Sequence, residues 1–245
     1  MQDIIQLETQ LARVWPAFNS LVHDGWLLRL SRGFSLHTNA VLPLQRGRLS
    51  NMEKIRYCQE QYQLQRLPCC FRLTSLLYHE ELARDLRQLG YQTVAGGRLL
   101  RMPLASSGTQ LKTLPLNRWL DLTYRLNPAD ENGQRLLEEQ LLGQVDLPMW
   151  CAVIEAEGIA VGYGRVVLSG ANVYLEDLWV APDWRRQGHG TRLLDGLQAF
   201  AQQRGGTTTY LSHNTNNQLG AQAAAAFLRH AGFSLAYEYG YMEQP

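Results

Sequence analysis

The stretch VAPDWRRQGHGTRLLDGLQAF, Val180–Phe200, changes character within a few residues. The end of an apolar strand (Leu178, Trp179, Val180) meets Pro182, then two arginines, then Gly188 and Gly190. Leu193, Leu194, Leu197 and Phe200 follow on one helical face. The start of a helix leaves backbone N–H groups unpaired and carries positive partial charge. Phosphate oxygens satisfy both, provided that the backbone can be approached. Gly188 and Gly190 remove side chains that would block the approach, and Arg185, Arg186 and Arg192 add charge that suits a phosphate. A glycine pair alone fits a surface turn. The full order (strand, Pro182, Arg185-x-x-Gly188-x-Gly190, amphipathic helix) predicts a pyrophosphate loop. Neither GxGxxG nor a Walker GK[ST] is present, so a dinucleotide or P-loop site is excluded.

Outward from this loop, the chain alternates strands and helices. Three strands precede it, WCAVIEA, GIAVGYGRVVL and NVYLEDLWV, with turns at Glu157-Gly158 and Ser169-Gly170. Ala129–Leu142 is predicted helical, with Asn127-Pro128 as start and Gly143 as stop. After the loop helix come strand TTTYLSH, a helix over Gln218–His230 closed by Gly232, and a last strand SLAYEYGYM. Earlier in the chain, a helix within Gln2–Phe18 ends at Trp15-Pro16. Two strands with a turn near Ser31–Gly33, a helix over Asn51–Leu64, strand CFRLT, a helix over Tyr78–Leu89 and a strand from Tyr91 follow. Met102–Leu116, rich in Pro, Ser and Gly, reads as a linker. The expected fold is therefore α/β (α+β), a mixed, mostly antiparallel sheet flanked by helices, in two domains over residues 1–105 and 117–245.

Composition narrows the class. Hydrophobic residues make up 45% of 245, enough for a packed core. No apolar run reaches the roughly 20 residues that span a bilayer, and MQDIIQLETQ lacks the character of a secretory signal. A cytoplasmic chain is expected, its four cysteines (Cys58, Cys69, Cys70 and Cys151) reduced and without metal-ligand spacing. Net charge is +1, but residues 1–115 hold 14 Lys+Arg against 8 Asp+Glu, and residues 116–245 hold 9 against 14. This asymmetry fits either mutually attracted halves or ordinary solvated surfaces. No basic run interleaves with aromatics, so no nucleic-acid surface is expected.

LWVAPDWRRQGHGTRLL resembles the acyl-CoA-binding signature of the GNAT (Gcn5-related N-acetyltransferase) superfamily, with its [RQ]-x-x-G-x-[GA] loop. Downstream, AFLRHAGF is similar to the lYeklGF helix end of that superfamily. WPAFNSLVHDGWLLRLSRGFSLHTNAVLPL resembles the leading region of a bacterial subgroup in which a degenerate GNAT-like half, a partial GNAT fold, precedes the working one. The resemblance implies an N-acetyltransferase that moves an acetyl group from acetyl-CoA to a primary amine of a small molecule or peptide, with no metal. Arg185, Arg186, Gln187, Gly188, His189, Gly190 and Thr191 would wrap the pyrophosphate. The main chain at Leu178, Trp179 and Val180 would hold the pantetheine arm and polarise the acetyl carbonyl. The pantetheine-contacting asparagine falls among Asn214, Asn216 and Asn217, of which Asn217 is carried forward. The resemblance leaves a homodimer open.

Transfer to an amine needs a base and a proton for the leaving thiolate. Glu176 is the base candidate, since in a regular strand it shares a face with Leu178 and Val180; a strand-end ion pair is the competing role for it and for Asp177. The tyrosine of lYeklGF is replaced by Leu228, which donates no proton. Tyr239 and Tyr241, with Tyr237, alternate along the last strand and are the substitute acids, against a buried aromatic stripe as the plainer role. His213 is a further candidate. Leu228 also keeps open a catalytically silent acyl-CoA-binding sensor or regulatory protein.

Overall fold

The computed structural model describes residues 2–105, 108–128, 134–215 and 218–244. In chain order its elements are α1 (Gln2–Val14), β1 (Asn19–His23), β2 (Trp26–Leu30), β3 (Ala40–Pro43), α2 (Asn51–Leu64), β4 (Cys70–Thr74), α3 (Leu77–Gln88) and β5 (Gln92–Pro103). Then follow β6 (Lys112–Leu114), α4 (Leu116–Leu126), α5 (Gln134–Leu142), β7 (Met149–Ala156), β8 (Ile159–Ser169) and β9 (Asn172–Val180). A 3-10 turn (Pro182–Trp184), α6 (His189–Gln202), β10 (Thr208–Asn214), α7 (Gln218–His230) and β11 (Ser234–Glu243) complete it. The chain forms two compact units: Met1–Leu99 with His213–Ala224 and Leu235–Pro245, and Leu100–Ser212 with Ala225–Ser234.

The fold is mixed α/β with open, mostly antiparallel sheet flanked by helices, as expected. In the first unit the strand order is β1-β2-β3-β4-β11-β5. β3 and β4 are parallel, joined through α2, and β1–β2, β2–β3 and β4–β11 are antiparallel. In the second unit the order is β10-β9-β8-β7-β6, with β9–β10 parallel across α6 and the other pairs antiparallel. The same succession therefore occurs twice: three antiparallel strands, a helix, a parallel strand, a second helix.

Three differences from the sequence reading have physical causes. β1 was not expected; it closes a hairpin with β2 through Asp24-Gly25, both at positive φ (42° and 84°), as a two-residue primed turn requires. The expected linker is partly ordered, since β5 runs on to Pro103 and β6 pairs with β7. α4 was also missed, because its apolar face is anchored by tertiary contact: Trp119 is buried and its indole N–H donates to Ala152 O at 3.2 Å. Along the chain the first unit passes to the second between Leu99 and Leu100. The last strand β11, however, belongs to the first unit, inserted between β4 and β5.

A buried charge network holds β11 there. Arg72 of β4 donates through Nε and Nη2 to both carboxylate oxygens of Glu8 on α1, each at 2.8 Å. Tyr237 O–H donates to Glu8 at 2.6 Å, Arg72 Nη1 donates to the Tyr241 hydroxyl at 2.7 Å, and the Arg72 guanidinium lies 3.6 Å over the Tyr239 ring. Burial works to raise the Glu8 carboxyl, but the Arg72 charge and hydrogen bonds outweigh it and hold it below its ordinary value.

Removing one member of a buried pair strands the other, so Glu8→Ala should cost about 3–5 kcal/mol. The exposed Arg98–Glu238 pair should contribute below about 1 kcal/mol. Urea unfolding of Glu8→Ala and Glu238→Ala checks the contrast. Because the folded Glu8 pKa is depressed, its contribution is present above the unfolded value near 4.5 and disappears as pH falls through the folded value. Titrating stability downward from pH 6 should therefore show an acid loss that Glu8→Ala lacks.

Candidate active site

The second unit holds Glu176 through Thr191. β9 pairs with β10 from Asn172↔Thr208 to Leu175↔Leu211, and this pairing stops there. Beyond Asp177, Trp179 and Val180 keep the ladder to β8, so from Leu178 on the other edge of β9 faces away from that ladder and can offer main-chain donors and acceptors. The β8 ladder is itself irregular: Arg165 faces Glu176, yet Tyr163 faces Trp179, so β9 carries one residue more than β8 over this span. The extra residue is Asp177, at φ +58°. Left-handed backbone costs a non-glycine residue about 1–2 kcal/mol, and Asp is among those that bear it best.

The bulge corrects one expectation. Val173 and Leu175 pack in the apolar cluster under α6, and so do Leu178 and Val180. The facing residues switch from odd to even numbers across Asp177. Glu176 therefore does not share a face with Leu178 and Val180, because alternation breaks between them. It lies opposite Arg165, and its side chain is almost wholly covered.

On that other face Asp177 and Trp179 join a polar and aromatic group whose further members, Arg165, Tyr163, Tyr124 and Glu138, sequence reading missed. Arg165 is fully buried and its Nε donates to Asp177 Oδ2 at 2.9 Å. Burial opposes its charge, but Asp177 and Glu176 keep it protonated with a raised pKa. Tyr124 of α4 donates to Glu138 of α5 at 2.8 Å. Burial, helped by the nearby Asp177 charge, pushes the Glu138 carboxyl above its ordinary range. Burial likewise raises the Cys151 thiol to about 12. Trp179 stacks on Tyr163 at 5.1 Å, and Tyr163 meets Trp119 edge-on at 5.7 Å. The pattern that would have revealed Arg165 is a lone arginine inside the apolar run GIAVGYGRVVL.

The loop after β9 opens α6. Gly188 is the N-cap, at φ +83° and without a side-chain cap hydrogen bond. A Cβ placed there meets nothing within 4 Å, so it is the αL backbone and not crowding that favours glycine. Gly190 differs from expectation: its Cβ would touch the Phe227 ring at 3.6 Å and Val180 at 4.0 Å, so it faces α7 and β9 and not the approach. Arg185, Arg186, Gln187 and Thr191 are exposed, while Arg185 Nε is tied to Val180 O at 2.9 Å. His189 is buried, its ring edge-on to Trp184 at 5.6 Å.

The corresponding loop of the first unit, between β3 and α2, is filled from within. There the Asp24 carboxylate accepts from Arg48 N at 2.9 Å and Leu49 N at 2.8 Å. Ser50 and Glu53 form a reciprocal capping box on α2. A Cβ on Gly47 would fall 2.2 Å from the Asp24 carboxylate. Those backbone hydrogen bonds hold the Asp24 carboxyl below its ordinary value.

Of the remaining candidates, Tyr239 and Tyr241 belong to the first unit, buried around Arg72, and Tyr241 also lies 3.0 Å from His37 Nδ1. Burial lifts Tyr241 to about 12. Asn217 lies outside the described residues. Leu228 is buried in the cluster that includes Leu193 and Leu197. Among the described residues no group of three or more His, Cys, Asp or Glu is placed to hold a metal, and no helix is long and apolar enough to cross a membrane.

A family model described as "Probable histone acetyltransferase Rv0428c C-terminal" matches residues 1–242. The chain belongs to that family. It is thereby a member of the GNAT superfamily of acetyltransferases, as the loop resemblance implied. In fold, this GNAT chain is similar to a GCN5-related N-acetyltransferase from Kribbella flavida (TM-score 0.70, 14% identity, 98% of this chain and 95% of that one). It is similar also to one from Sphaerobacter thermophilus (0.62, 16%, 97% and 86%). A third is a tandem GNAT protein from the clavulanic acid biosynthesis pathway (0.60, 14%, 84% and 75%). A comparison with curated proteins returns no match.

Gly188→Ala places an L-residue at φ +83° and should lower stability by about 1 kcal/mol. Gly190→Ala meets ordinary contacts and gains helix propensity, so it should leave stability unchanged or raise it. Paired urea melts of the two variants test this opposition.

Proposed function

We propose that the chain is an acetyl-CoA-dependent N-acetyltransferase acting on a primary amine of a small molecule or peptide. The observation that carries this reading is the contrast between the two loops. Asp24 and Glu53 occupy the backbone donors ahead of α2, whereas α6 starts at an exposed αL glycine with no side-chain cap. The pyrophosphate would bind across Arg185–Thr191, satisfying N–H groups at the α6 N-terminus. Arg185 and Arg186 would add charge there. The pantetheine arm would run along the β9 edge past Glu176, where β10 no longer pairs, and the acetyl carbonyl would meet main-chain N–H groups near Leu178–Val180.

Glu176, although it faces Arg165 and not the Leu178–Val180 side, is retained as the proposed base, taking a proton from the substrate ammonium directly or through water. The neutral amine nitrogen then adds to the thioester carbonyl, the C–S bond breaks, and the leaving thiolate takes up the proton that the nitrogen releases, carried by water. The reading routes no proton through Tyr239 or Tyr241, whose ring and hydroxyl are engaged by Arg72. Positioning of the amine against the thioester would supply much of the rate. The silent-sensor reading rests on Leu228, which fills core where the superfamily motif has an acid.

Isothermal titration with acetyl-CoA should give one site per chain, because the first loop is internally occupied. Gly188→Asp, which adds charge and αL strain where the pyrophosphate would lie, should remove binding while the fold survives by circular dichroism. Unchanged affinity in that variant would overturn the loop assignment. Release of CoA thiol upon adding amines supports transfer; binding without release across small amines and peptides shifts weight to a sensor.

A further inference from the structure

We propose that Arg165 is a positioning residue: its ion pair with Asp177 clamps the β9 bulge that aims the main chain of Leu178–Val180 at the acyl group. The clamping part stands on the fold alone; the acyl part rests on the acetyl-CoA reading above.

Three observations meet at this pair. Asp177 sits in left-handed backbone at φ +58°, a conformation that relaxes to extended strand unless its surroundings hold it. The carboxylate is held by Arg165 Nε at 2.9 Å, from a guanidinium that is itself fully buried. The residues either side of Arg165 across the sheet are Cys151 and Glu176, so the arginine is fixed in a row of three strands and cannot follow a slipping β9. Relaxation of Asp177 would restore strict alternation, and every residue from Leu178 onward would turn to the opposite face. The N–H groups of Leu178–Val180 would rotate with them, away from the edge that β10 leaves unpaired. Arg165 thus acts at a distance from the reacting atoms, through one strained peptide.

The competing account is that Leu178 and Val180 hold the bulge by packing under α6, with Arg165 merely filling space. The two accounts separate in variants. Arg165→Met keeps the volume and removes the clamp. Arg165→Met/Asp177→Gly removes both charges and installs the residue that adopts αL freely.

Two readouts apply to each purified full-length variant. Amide hydrogen exchange across residues 176–180 reports the bulge without any ligand. The resonance of acetyl-CoA carrying a carbon-13 label at the thioester carbonyl reports its polarisation, with no acceptor needed. The clamp predicts exchange faster by about tenfold or more in Arg165→Met. It predicts loss of the downfield shift of the bound carbonyl, with acetyl-CoA affinity within about threefold because the distant phosphate loop is untouched. The double variant should recover both. Wild-type behaviour in Arg165→Met, or failure of the double variant to recover, overturns the clamp. If Arg165→Met does not fold by thermal melting, Asp177→Ala and Asp177→Gly decide: retention in the glycine variant alone supports the clamp. Loss in both, in folded protein that binds acetyl-CoA, makes the carboxylate itself the required group; retention in both removes any need for it. If wild type binds no acetyl-CoA, the functional reading fails, while amide exchange still decides the clamp.

Discussion

The far end of β9 depends on a peptide that would not choose its own conformation. Asp177 is held at φ +58° beside a fully buried arginine, and the consequence is a change of parity along the strand. Upstream, Val173 and Leu175 enter the apolar cluster beneath α6; downstream, Leu178 and Val180 do. One extra residue lets the same strand face the core on both sides of the bulge while its backbone turns relative to the sheet. The polar face then collects Arg165, Glu176 and Asp177, while Trp179 joins Tyr163 and Trp119. Charge is tolerable there because the Arg165 guanidinium pairs with Asp177 at 2.9 Å and is further stabilised by the Glu176 charge.

The repeated succession of strands and helices gives a comparison inside one molecule. Both units send a strand through a glycine-containing loop into a helix and back to a parallel strand. In the first, the chain supplies its own anions: Asp24 from the β1–β2 turn and Glu53 from the helix satisfy the backbone donors. In the second, the donors ahead of α6 have a glycine cap and arginines around them. Identical physics at a helix N-terminus thus yields a joint capped by the chain's own carboxylates in one case and a glycine start without a side-chain cap in the other.

Much of this was legible in the chain. The Arg185–Gly190 loop and the apolar period after it lie within a dozen residues, and local backbone rules alone locate the helix start. Most strands and helices were equally readable, since alternation and helical spacing are local. β1 was missed because it is exposed on both faces, with Leu21 on one and Val22 on the other, and so shows no apolar–polar alternation. α4 was missed because Leu116–Leu126 has no side-chain N-cap, and its stability comes from packing of Trp119.

What the sequence determined by itself was most of the local elements, the superfamily and the start of α6 after the Arg185–Gly190 turn, because each is written in residues close together along the chain. Tertiary structure decided which face Glu176 occupies, since one left-handed residue inverts strand parity and no periodicity records it. It also decided that β11 joins the first unit. Tyr237, Tyr239 and Tyr241 find Glu8 and Arg72 more than 150 positions away, a pairing that only burial and charge in three dimensions can select.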